Sequence, residues 1–153
     1  TNMFEDEPLS CSQTPFTEQQ INKQIEWALS VSRKGEWNIV IGHIPYLANG
    51  HKKDNHPVMR KKLADLIEKM QPQLYICADE HNQQFIQTEK TAIVVAGSGG
   101  TSLDNIAEKP IAGTLYRNSV FGFVSYNITE ETLKIEFISV ENKVLFSHVL
   151  RQT

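Results

Sequence analysis

Two short apolar runs, residues 37–41 and 74–77, each end abruptly in a polar cluster that carries a histidine, and this repeated pattern restricts the fold more than any other feature. The first is rich in β-branched residues and runs into Gly42-His43-Ile44-Pro45, where the proline forbids continuation as a central strand. The second, Leu74-Tyr75-Ile76-Cys77, runs into Ala78-Asp79-Glu80-His81-Asn82. Between them Met59, Leu63, Leu66, Ile67 and Met70 recur at helical spacing, opened by Pro57, which a first turn accepts, and closed by Pro72. Ahead of the first run, Thr17 and Gln20 have the spacing of a capping box, and Ile21, Ile25, Ala28 and Leu29 mark a second amphipathic helix stopped by Gly35. Helix, strand, helix, strand with moderate linkers predicts parallel strands flanked by helices. Ligands collect at the carboxyl ends of strands in such sheets, so both histidine clusters are expected to face one crevice.

The later sequence changes character. Residues 84–87 and 91–96, joined by Glu89-Lys90, predict a hairpin that runs into Gly97-Ser98-Gly99-Gly100, and residues 101–119 have no clear period. Runs at 120–128, 132–138 and 144–150 predict an antiparallel meander, in which Leu133, Ile135 and Phe137 alternate with Lys134 and Glu136 and leave one face wet. The 153 residues suit a single domain, 1–153, with residues 1–16 as a loop or leader. A formal charge of -3 lacks the basic footprint of a nucleic-acid binder. No stretch approaches the about 18 apolar residues of a membrane span, so neither nucleic acid nor a membrane span is expected. Lys52-Lys53 and Arg60-Lys61-Lys62 read as a solvated loop and helix face. Cys11 and Cys77 are too sparse for a disulfide framework and leave the redox compartment open.

Four of the five histidines, His43, His51, His56 and His81, fall on the loops after predicted strands, whereas His148 lies inside a strand and reads as structural. Imidazole ligates borderline divalent metals and exchanges protons near neutral pH, so several histidines converging on one crevice suit metal-assisted hydrolysis.

The ordered series of the 37–45 segment, a histidine-bearing loop, a helix, Leu74-Tyr75-Ile76-Cys77, a histidine motif with Asn82 and Gln84, and Val94-Val95-Ala96-Gly97-Ser98-Gly99-Gly100 resembles the carboxyl-terminal half of the purple acid phosphatases. The likeness is greatest to their small tartrate-resistant type, within the calcineurin-like metallophosphoesterases. It implies an α/β fold: half of an αββα sandwich, a mixed sheet with helices on one side and an antiparallel carboxyl-terminal meander. It also implies phosphate monoester hydrolysis at two metal ions, iron with iron or zinc. His43 matches the metal-ligating histidine of the family's Gly-His-x-Pro motif, and His81 the last histidine of its Gly-His-Asp-His motif. His51 and, behind it, His56 match the loop histidine that binds phosphate or protonates the leaving alcohol. This chain has Ala78-Asp79-Glu80-His81 in that second motif. Asp79 therefore stands where an imidazole ligand of the second metal is expected, and Ala78 where a glycine would relax the backbone. The remaining ligands belong to an amino-terminal half absent from this sequence. That half, cleaved or separate, is the expected partner, with a small phosphate ester as substrate in a secreted or lysosome-like setting. The alternative is a pseudophosphatase that keeps the fold for binding or scaffolding.

Overall fold

The Thr17 hydroxyl accepts a hydrogen bond from the Gln20 amide at 3.3 Å, and the Gln20 side chain accepts one from the Thr17 amide at 2.8 Å. That capping box starts α1, Glu18–Val31, in a computed structural model that describes residues 17–152. The leader expected at 1–16, with Cys11, lies outside the described residues. The helix stops four residues short of Gly35, because the Asn38 side chain accepts from the Arg33 amide and donates to its carbonyl, folding the chain back early.

Then follow β1 (Ile39–Ile41), a 3-10 turn at His51–Asp54, α2 (Pro57–Met70), β2 (Leu74–Cys77), β3 (Gln83–Gln87), β4 (Ala92–Ala96), β5 (Thr114–Asn118), β6 (Gly122–Ile128), β7 (Thr132–Ser139) and β8 (Val144–Arg151). Strands β1 to β5 form a mixed sheet in the order β1-β2-β4-β3-β5, and β6-β7-β8 form a separate antiparallel sheet. β1, β2 and β4 run parallel, and β3 is antiparallel to both β4 and β5. The expected parallel strands, the hairpin and the meander are all present. β5 falls within the stretch that showed no period: its sequence, Thr-Leu-Tyr-Arg-Asn, puts no consistent apolar stripe on either face.

The five-stranded sheet is covered on both sides. Tyr75, Cys77, Ile86, Ile93 and Val95 pack against Leu63 and Ile67 of α2. Leu74, Phe85, Ala92 and Val94 point the other way, onto Leu133, Ile135 and Phe137 of β7. Burial on both faces explains why β2 and β4 are continuous apolar runs, and burial on one face explains the alternation in β7. Each large side chain fully buried here contributes about 1.5–3 kcal/mol. The Trp37 indole donates to the Thr129 carbonyl at 2.7 Å and ties the start of β1 to the meander. His148 sits in β8 with its ring 4.6 Å from that of Phe85, as a packing residue. Cys77 is a free, buried thiol whose ionisation burial pushes well above the ordinary range, which makes it inert.

Candidate metal and phosphate site

The β1–β2 ladder continues past both strands. The Gly42 amide donates to Ile76 at 2.9 Å, and the Ala78 amide donates to His43 at 2.8 Å. This extension sets the two polar clusters side by side, with His43 Nε2 3.9 Å from Asp79 Oδ1. A tight turn closes around Asp79, where the Glu80 amide reaches the Ala78 carbonyl at 2.7 Å and Asp79 takes a left-handed φ of 59°. The strained angle thus falls on position 79 and not on Ala78. Aspartate is among the few residues that tolerate such an angle. Loss of a glycine at 78 therefore does not by itself disturb the loop.

His81 is fixed from both sides. Its amide donates to Asp104 Oδ2 at 2.9 Å, and its carbonyl accepts from the Asp104 amide, also at 2.9 Å. Ring Nδ1 lies 2.9 Å from the Ser102 carbonyl, which can only accept, so Nδ1 carries a proton and, in the neutral ring, Nε2 offers the lone pair. Into this corner the 3-10 turn sends Lys52. Its Nζ donates to the Asp79 carbonyl at 2.7 Å and lies 3.0 Å from Asp104 Oδ2, 3.5 Å from His81 Nε2 and 4.0 Å from Asp79 Oδ1. Burial works to raise the Asp104 carboxyl, but the His81 amide and the Lys52 ammonium together hold it below the usual carboxylate range.

Glu80 is fully buried, and neither carboxylate oxygen has a hydrogen-bond partner among the described residues. Burial raises its pKa, against the lowering influence of Arg60 and His51. A Cβ at position 50 would come within 1.6 Å of Glu80 Oε2, so glycine there leaves room for the buried carboxylate. That loop is anchored to β3: Gln84 Oε1 accepts from both the Asn49 amide, at 2.7 Å, and its Nδ2, at 2.9 Å. His51, Glu80 and Asp104 each offer a ligand atom, all within 4.8 Å of one another.

The residues singled out by sequence divide into three groups. His43 and Asp79 come together, His81 joins them through Lys52, and His51 lies across from them, its Nε2 4.0 Å from Asp104 Oδ1. His56 caps α2 in a left-handed conformation, φ 54°, and none of the hydrogen bonds or ion pairs among the described residues joins it to the cluster. Glu80, Asp104 and Lys52 are the residues that sequence reading missed. Glu80 sat inside the recognised motif, whereas Asp104 lies in a stretch without periodicity. The reading of the basic residues as a solvated face is corrected for two of them. The Lys52 side chain is only 20 % exposed. The guanidinium of Arg60 is buried on the carbonyls of Pro45, Asn55 and Lys52. Lys61 keeps the expected surface role, paired with Asp65.

Two carboxylates and an imidazole suit a hard or borderline divalent cation, and the unpartnered buried oxygens of Glu80 favour one at His51, Glu80 and Asp104. At His43, Asp79 and His81 the donor atoms have suitable chemistry, but the Lys52 ammonium stands 3.5 Å from Nε2 of His81.

No protein-family profile matches the chain. It is 26 % identical over 121 residues to tartrate-resistant acid phosphatase type 5 of Oryctolagus cuniculus, across 74 % of this chain and 37 % of that protein. The solved structure of GAP50, titled as the anchor in the inner membrane complex of Plasmodium, superposes on 93 % of this chain and 46 % of its own, with a TM-score of 0.78 and 22 % identity. Purple acid phosphatase PPD1 from seeds of yellow lupin (Lupinus luteus) superposes on 88 % of this chain and 28 % of its own, with a TM-score of 0.74 and 20 % identity. The chain is distantly similar to purple acid phosphatases and GAP50 over most of its length, shares the metallophosphoesterase fold, and spans less than half the length of these relatives.

Proposed function

We propose that the assembled protein hydrolyses phosphate monoesters at a metal centre to which this chain contributes one side. The observation that carries this reading is the convergence of His43, Asp79, His81, His51, Glu80 and Asp104 where the loops after β1, β2 and β4 meet. In this reading His43 and His81 are metal ligands, Asp79 is a carboxylate ligand in place of an imidazole, and His51 binds phosphate or protonates the leaving alcohol. His56 keeps a secondary claim to the last role. Metal ions held there, iron with iron or zinc by resemblance, would polarise the phosphoryl group and supply a nucleophile at neutral pH.

The rest of the ligand set would come from a partner segment equivalent to the amino-terminal half of the relatives. Its docking is supported by Ile41, 75 % exposed on β1, which among the described residues has a strand neighbour on one side only, and by α1, which fully buries none of its residues. Among the described residues no helix is long and apolar enough to cross a membrane.

The test is metal content of the native protein together with turnover of a chromogenic phosphate ester from acid to neutral pH. His43→Ala should lower metal affinity by more than the about 10–100-fold that outer-shell changes cost, and turnover should fall with it. A metal-free, folded and inactive native protein overturns the reading. The pseudophosphatase alternative has its own support: an aspartate in place of an imidazole, a lysine among the candidate ligands, and similarity to a structure titled as an anchor. Asp79→His separates the two, because a gain of metal or activity identifies that position as the lesion.

A further inference from the structure

We propose that Lys52 is the resident cation of this site: its ammonium competes with a metal ion for the Nε2 lone pair of His81 and for Asp104, and a metal loads there only when Lys52 is displaced. The inference rests on the metal reading above and specifies how that site is regulated. A lysine ammonium only donates, and the Ser102 carbonyl obliges His81 Nδ1 to carry the ring proton. In the neutral ring Nε2 is therefore the only acceptor, and Lys52 Nζ faces it at 3.5 Å. The same ammonium lies 3.0 Å from Asp104 Oδ2 and donates at 2.7 Å to the Asp79 carbonyl. A single point charge thus meets a carboxylate, a carbonyl and an imidazole nitrogen, the donor types that would surround a divalent ion. A metal bound to Nε2 at about 2.0–2.1 Å would stand next to the ammonium, and like charges in a partly buried corner repel strongly. Displacement is feasible because the four-carbon stem is flexible and the 3-10 turn carrying it is short.

The alternative is that Lys52 merely braces the loop through Asp104. A brace would cost stability on removal and leave metal affinity alone. The experiment titrates cobalt(II) into the native assembly carrying wild-type chain, Lys52→Met, Lys52→Arg, or Lys52→Met with His81→Ala, read by calorimetry and by metal content after dialysis. Lys52→Met keeps the stem and removes the charge. It should bind one further ion per chain or bind cobalt about tenfold or more tighter. Lys52→Arg should match wild type, and His81→Ala should erase the gain. Equal cobalt binding by wild type and Lys52→Met overturns the proposal and leaves the metal reading standing. No binding by either overturns both. A Lys52→Met variant that gains metal without hydrolysing the ester supports the role of Lys52 and removes the hydrolytic reading.

Discussion

A methyl group at position 50 would lie 1.6 Å from Glu80 Oε2, whereas one at Gly99 would meet nothing within 4 Å. Gly50→Ala should therefore move the loop or expel the carboxylate, costing about 1–3 kcal/mol in denaturant unfolding as overpacking does. Gly99→Ala should stay within about 0.5 kcal/mol. His148 supplies a pH dependence. Burial beside Phe85 and Phe146 lowers its pKa, so the folded chain resists a proton that the unfolded chain accepts near about 6.5. The unfolded state then binds more protons in that window, and stability falls as pH drops from neutral through it. His148→Gln should lose less melting temperature than wild type on acidification from about pH 7.5 to about 5.5. At this scale the sequence disclosed histidines better than their surroundings. His43 and His81 announce themselves by following strand runs. Lys52 does not, because a lysine beside another lysine reads as solvated until the loop's anchor to β3 turns it inward.

Among the elements, β7 carries the meander. Phe137, fully buried, packs its ring 4.9 Å from Tyr116 and 5.9 Å from Phe146, so Phe137→Ala should cost about 3–5 kcal/mol. Phe123, 55 % exposed on β6, should cost less than about 0.5 kcal/mol when changed to Ala. Chemical denaturation reads both. Elements with one buried face were legible, since burial leaves a period of two in β7 and of about 3.6 in α2. β5 was not, because as an edge strand it is held by backbone pairing to β3 and by Tyr116 alone among its larger apolar contacts. The end of α1 was misread because the capture of Arg33 by Asn38 is a side-chain event that hydrophobic spacing does not encode.

For the whole molecule, the outer edge of β1 matters most. Among the described residues β1 pairs only with β2, and its outer edge with exposed Ile41 invites pairing with another chain. The isolated chain should self-associate in light scattering, and Ile41→Lys should reduce that association while leaving the melting temperature nearly unchanged. The α/β arrangement was readable from order, helices and parallel strands first and a meander last, and the half-sandwich from the family resemblance. That the clusters after β1 and β2 share one crevice was readable too, whereas the joining of Glu80 and Asp104 to His51 required the loops to be folded. The bond from the Trp37 indole to the Thr129 carbonyl spans 92 positions and joins the two sheets. The meander forms from hairpins close in sequence, whereas this closure waits on distant segments and is expected to be slow. With Trp27→Phe removing the exposed indole, stopped-flow emission from Trp37 would time the moment the sheets dock, giving this sandwich a built-in optical clock.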